Sequence, residues 1–143
     1  MNATYNPPQN LSTSVRWARN LYGLCALLFV IGIAVQVFFA GATLLVNGSY
    51  LATHKNFAHV IEGLTLLIPI IGFFARLPRR MHVLNVLLLI DFILQYVFLY
   101  INVGVPAFRA LHAVNALVMF SITATLIVMW RRLRRLALPI PTS

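Results

Sequence analysis

The sequence predicts an all-α fold: a four-transmembrane-helix up-down bundle, one domain over residues 1–143, with both termini cytoplasmic. Three observations predict it. The chain is 61% hydrophobic and 9% charged, where a soluble domain carries about 25% charged residues. Its apolar residues gather into four runs of membrane-spanning length. Its cations fall almost entirely between alternate runs, on one side.

The runs cover residues 21–46, 57–74, 81–103 and 107–130. About 20 apolar residues in a helix cross the roughly 30 Å hydrocarbon core. Lipid offers no partner for backbone N–H and C=O groups, so each run must satisfy its own backbone as a helix. The first run follows Arg16 and Arg19 and exceeds the roughly 7–15 residues of a signal-peptide core, so an uncleaved anchor is expected. The second is the shortest. Its first turn is expected near Lys55, which leaves His54 in the preceding loop, and Pro69 inside it is expected to kink the helix. Residues 76–80, with Pro78, read as a tight turn. The third run stops before Gly104, and Pro106 suits the first turn of the fourth. The polar, proline-bearing ends, residues 1–10 and 139–143, are expected to be loose.

Orientation follows from the cations. Arg16, Arg19, Arg76, Arg79, Arg80, Arg131, Arg132, Arg134 and Arg135 lie on one side, and Lys55 and Arg109 on the other. The positive-inside rule places the larger group in the cytoplasm. The expected location is the plasma or inner membrane of the cell, with the lipid bilayer as first partner. The net charge of +9, from 11 Lys+Arg against 2 Asp+Glu, would suggest nucleic acid in a soluble protein. Here it marks topology, and no nucleic-acid partner is expected. The lone Cys25 excludes an internal disulfide.

Both acids, Glu62 and Asp91, lie inside spans. A carboxylate at a helix centre costs roughly 2.5–3.5 kcal/mol on insertion scales, so it marks function by default. At 1.5 Å per residue, Asp91, ten residues into the third run from its inner end, and Gln36, ten residues before the outer end of the first, each lie roughly 15 Å deep, near the midplane. Gln95 sits one turn outward of Asp91, and Glu62 near that level. Contacts Gln36–Asp91 and Glu62–Gln95 are therefore expected, with Asn115 as a further member of the polar network. Two readings fit: a hydrogen-bonded lock between helices, or a proton path or cofactor environment.

Of the four histidines, His54, His59 and His112 belong to the outer side and His82 to the inner interface. His59 and His112 reach similar depth on helices two and four, which face each other diagonally in an up-down bundle. Two such imidazoles can ligate one haem iron from opposite faces. Their surroundings echo each other as H-x-x-[EN]-[GA]-L: His59, Glu62, Gly63, Leu64 against His112, Asn115, Ala116, Leu117. Gly63 and Ala116 lie one turn deeper on the same faces. Lys55 and Arg109, one turn toward water, suit haem propionates. Glu62 and Asn115 suit hydrogen bonds to the ligands. His54 reads as a solvated loop residue, an alternative ligand or a cap on the haem edge.

The histidine-bearing outer loop, the Arg-Leu-Pro-Arg-Arg turn at 76–80 and the stretch Leu111-His112-Ala113-Val114-Asn115 resemble a family of small, uncharacterised bacterial four-helix membrane proteins. More distantly the arrangement is similar to four-helix b-type cytochromes. That likeness implies histidine ligands on facing helices. Diheme members carry a histidine pair on each side, whereas only His82 lies on the inner side here, so one haem b is expected.

The leading expectation is therefore a cytochrome b-like protein or subunit holding one haem between helices two and four, near the outer face, for electron transfer. Its partners would be a quinone or a redox protein, within a larger complex or a homo-oligomer. The competing expectations are a haem-free structural or interaction subunit and a small oligomeric transporter using Asp91. No catalytic residues are expected: the chain shows no nucleophile–base pair, phosphate loop or metalloprotease motif.

Overall fold

The computed structural model describes residues 11–136, so the readings for 1–10 and 139–143 lie outside the described residues. It is all-α. Helices α1 (Thr13–Leu45), α2 (Tyr50–Phe74), α3 (Arg79–Tyr100) and α4 (Leu111–Leu136) follow one another, with a short 3-10 turn at Pro106–Ala110 before α4. All four are long and apolar enough to cross a membrane.

Helix α1 starts where the Ser12 side chain accepts a hydrogen bond from the Val15 N–H, a common way to satisfy a free donor at a helix start. It begins two turns before the apolar run because nothing in Thr13–Asn20 opposes a helix. Helix α2 also begins early, at Tyr50 instead of near Lys55. The connection is only residues 46–49, closed by an Asn47 side-chain turn onto the Ser49 N–H. His54 is thus helical. Helix α3 ends at Tyr100, three residues short of the expected limit. Residues 101–105 are extended or bent, and Gly104 takes a positive φ of 74°. Pro106 opens the turn into the last helix, as expected.

The packing is that of an up-down ring. Neighbours α1–α2, α2–α3, α3–α4 and α1–α4 lie backbone against backbone, while the diagonal pairs α1/α3 and α2/α4 meet only through side chains. Each helix buries one stripe. On α1 it runs through Tyr22, Ala26, Phe29 and Ile33; on α2, Ile61, Thr65, Ile68 and Gly72; on α3, Met81, Asn85, Leu88 and Asp91; on α4, Asn115, Met119, Thr123, Leu126 and Trp130. These spacings of three and four residues keep one face inward. The opposite faces carry exposed Leu, Ile, Val and Phe, such as Leu28, Phe38, Ile70 and Ile90. An apolar exterior this extensive suits lipid and not water.

The arginine-bearing end is locked. Arg19 donates to the carbonyls of Ala75 (3.1 Å) and Arg76 (3.3 Å), satisfying the otherwise unpaired end of α2. Trp130 donates its indole N–H to the Arg19 carbonyl at 2.7 Å. Its ring lies so close to α1 that a Cβ at Gly23 would collide with it. Nearby, the Tyr22 hydroxyl donates to Asn85 Oδ1 at 2.9 Å, inside the core.

The opposite end is open. Outward of Ile33, Ile61, Asp91 and Asn115, only Ala42 is buried among the described residues. The core therefore occupies one half of the bundle and stops where the polar side chains begin.

Candidate functional site

Each core stripe continues outward into polar residues. On α2, Thr65 and Ile61 are followed at helical spacing by Ala58 and His54. On α4, Met119 and Asn115 lead to His112; on α3, Leu88 and Asp91 lead to Gln95; on α1, Ile33 leads to Gln36. Four helices thus converge on one polar cluster at the open end.

Its geometry is specific. The rings of His54 and His112 stand 6.5 Å apart, centroid to centroid, at an interplanar angle of 72°. They come from the diagonal helices α2 and α4. His54 Nδ1 lies 3.1 Å from the Gln36 carbonyl oxygen, so the ring is oriented by α1. His112 is half-buried, and its Nδ1 is enclosed without a hydrogen-bond partner. The Gln95 main chain lies beside it. Asn115 donates from its amide to the Asp91 carbonyl (2.8 Å) and to Gln95 Oε1 (2.6 Å), tying α4 to α3.

Two more atoms here are buried without partners, Gln36 Oε1 and Asp91 Oδ2. Buried polar groups are normally paired, and each unsatisfied one costs about 1–3 kcal/mol. Three such atoms in one cluster describe a site with unused binding capacity. Asn85 Nδ2, the remaining one among the described residues, belongs to the locked end.

His59 is placed differently from expectation. Its side chain is 75% exposed on the outward face of α2, and its Nδ1 pairs with Glu62 Oε2 at 3.0 Å. His54, not His59, meets His112. The physical reason is helical phase. His54 lies seven residues before the buried Ile61, two full turns, whereas His59 lies two residues before it, on the other side of the helix. The sequence echo between His59 and His112 is real as a pattern of letters but does not correspond to a shared direction. The signal that identifies His54 is its place on the Ile61–Thr65–Ile68–Gly72 stripe. It is missed when α2 is started near Lys55.

Other members of the expected set also shift. Gly63 is exposed, a Cβ there would meet nothing within 4 Å, and two residues after the buried Ile61 it lies on the other side of the helix from the cluster. Ala116 is partly buried, beside Asn115. The contacts Gln36–Asp91 and Glu62–Gln95 are not formed. Gln95 is taken by Asn115, Gln36 offers its backbone to His54, and Glu62 pairs with His59 while lying near Tyr96 of α3. Lys55 and Arg109 are exposed, close in sequence to His54 and His112 respectively.

Among the described residues no three His, Cys, Asp or Glu side chains gather tightly enough to hold a metal ion by themselves. The arrangement instead offers two imidazoles, with amide and carboxylate groups one turn deeper. Such a set can bind a metal that brings its own equatorial ligands, or it can pass protons.

No curated protein and no solved structure matches the chain. Residues 36–101, which include His54, Asp91 and Gln95 but not His112, are similar to a family of unknown function (DUF6220).

Proposed function

We propose that this is a multi-pass protein of the bacterial inner membrane, with its arginine end in the cytoplasm, that holds one b-type haem at its open end for electron transfer. His54 and His112 would hold its iron. The observation that carries this is their 6.5 Å ring separation across the α2/α4 diagonal. With metal–imidazole bonds of about 2 Å, two rings on opposite sides of one ion have centroids roughly 6 Å apart. The contact of His54 Nδ1 with the Gln36 carbonyl leaves Nε2 for the metal, the usual arrangement for a ligating histidine. Lys55 and Arg109 supply cations for the propionates, and the sparse packing of this end supports an insertion there. When bound, the haem would supply reversible one-electron exchange. One haem at one face does not cross a core of roughly 30 Å. Its electrons would pass to a quinone or a redox protein on that side, within a larger complex or a homo-oligomer.

A second reading is a haem-free proton path. The unpartnered Asp91 Oδ2 and Gln36 Oε1, on helices that meet the histidine cluster, favour it. The test separates the two. The protein is purified in mild detergent from haem-supplemented cells, and spectra are taken oxidised and dithionite-reduced. Sharp alpha and beta bands, lost in His54→Ala and in His112→Ala but kept in His59→Ala, support the haem reading. A colourless, folded protein overturns it.

A further inference from the structure

Helix α4 runs beyond Trp130 into Arg131, Arg132, Leu133, Arg134 and Arg135. Positions 131, 134 and 135 are spaced i, i+3, i+4, so these three arginines share one face. That face borders a cleft of about 380 Å³ lined by Leu27, Trp130, Arg131, Arg134 and Arg135. Leu27 belongs to α1, so the cleft lies in the seam between α1 and α4. The Arg134 guanidinium carbon stands 5.2 Å from the Trp130 ring centroid, a cation–π distance that restrains it. The chain's two acids are elsewhere: Glu62 pairs with His59, and Asp91 lies in the polar cluster at the other end.

A topology signal needs only positive charge. It does not need three guanidiniums on one face, an indole under one of them, or a cleft leading from them to an apolar wall on the next helix. We propose that this seam binds an anionic phospholipid. The phosphate headgroup sits on Arg131, Arg134 and Arg135, and the upper part of an acyl chain lies against Leu27 and Trp130. Guanidinium forks pair bidentately with phosphate oxygens. Three positive charges outweigh the roughly half negative charge of the helix C-terminus. The amphipathic lining selects a lipid over a free anion, because a free phosphate has no use for the wall at Leu27.

The test uses the full chain with Trp17→Phe, leaving Trp130 as the sole tryptophan, reconstituted in bilayers containing brominated phosphatidylglycerol or brominated phosphatidylcholine. Quenching of Trp130 should show a preference for phosphatidylglycerol on the order of tenfold. Arg131→Gln/Arg134→Gln/Arg135→Gln should abolish that preference. Arg131→Lys/Arg134→Lys/Arg135→Lys keeps the topogenic charge and should weaken it. Arg79→Gln/Arg80→Gln, at the same end of the bundle, should leave it unchanged. Equal quenching by both lipids overturns the proposal, as does a preference that survives the triple glutamine variant. Loss of the preference in millimolar inorganic phosphate also overturns it and indicates a free-anion site.

Discussion

Tyr22 and Asn85 join α1 to α3 across one diagonal of the bundle, at the end opposite to where His54 and His112 face each other across the other diagonal. The first pair is sealed: the Tyr22 side chain is fully buried and Asn85 is 2% exposed. The second lies where core packing has stopped. The same ring of four helices is thus closed by a hydrogen bond at one end and spread around two imidazoles at the other. A closed end provides a rigid base, and an open one provides room for a ligand.

The Tyr22→Phe variant should be destabilised by about 1–3 kcal/mol, because Asn85 Oδ1 then joins Nδ2 as a buried group without a partner. Thermal unfolding in detergent, followed by circular dichroism, measures this. A Tm unchanged from the parent would mean that the bond contributes nothing to holding the diagonal.

Gly23→Ala should be destabilising by about 1–3 kcal/mol through overpacking, since the new methyl meets the Trp130 ring. Gly63→Ala should be near neutral, because nothing lies within 4 Å. The pair is a matched control: the same change on two helices, one in the closed seam and one on the open face. Equal unfolding temperatures for the two variants would contradict the α1–α4 packing.

Asn115→Leu removes both hydrogen bonds from α4 to α3 and leaves Gln95 and the Asp91 carbonyl less satisfied. Interhelical hydrogen bonds in membranes contribute roughly 0.6–2 kcal/mol. The expected result is a modest loss of stability. In a haem-loaded preparation, a shift of the absorption bands should accompany it, as His112 lies one turn away on the same face. Unaltered spectra would separate the Asn115 network from the haem.

His59→Leu should accumulate and fold normally, since its side chain is largely exposed and its only polar partner among the described residues is Glu62. Glu62→Gln should be similarly mild. His112→Leu, by contrast, removes a half-buried imidazole from the cluster. Expression, monodispersity and haem content, compared across these three variants and His54→Leu, check the assignment. If His59→Leu bleaches the protein while His54→Leu does not, the ligand pair is His59 and His112 as the sequence alone suggests.

Much of this was legible in the linear chain. Too few charges for a water-facing surface, four apolar runs and one-sided arginines are enough to specify four helices, because lipid forbids unpaired backbone. Those facts depend on composition and run length, which need no knowledge of packing. The polar set Gln36, Asp91, Gln95, His112 and Asn115 was likewise readable, because an ionisable or amide group in an apolar run stands out by cost alone. The tertiary structure decided which of them meet. Direction around a helix turns by about 100° per residue, so starting α2 at Tyr50 brings His54 into the helix, where its phase with Ile61 carries it inward and leaves His59 outside. Partner choice is also a competition. Gln95 went to Asn115 and Glu62 to His59, outcomes set by the relative rotation of neighbouring helices, which no single run of residues encodes. The contrast between a closed end and an open one arises in the same way, from four stripes that are apolar together at one level and polar together at the next.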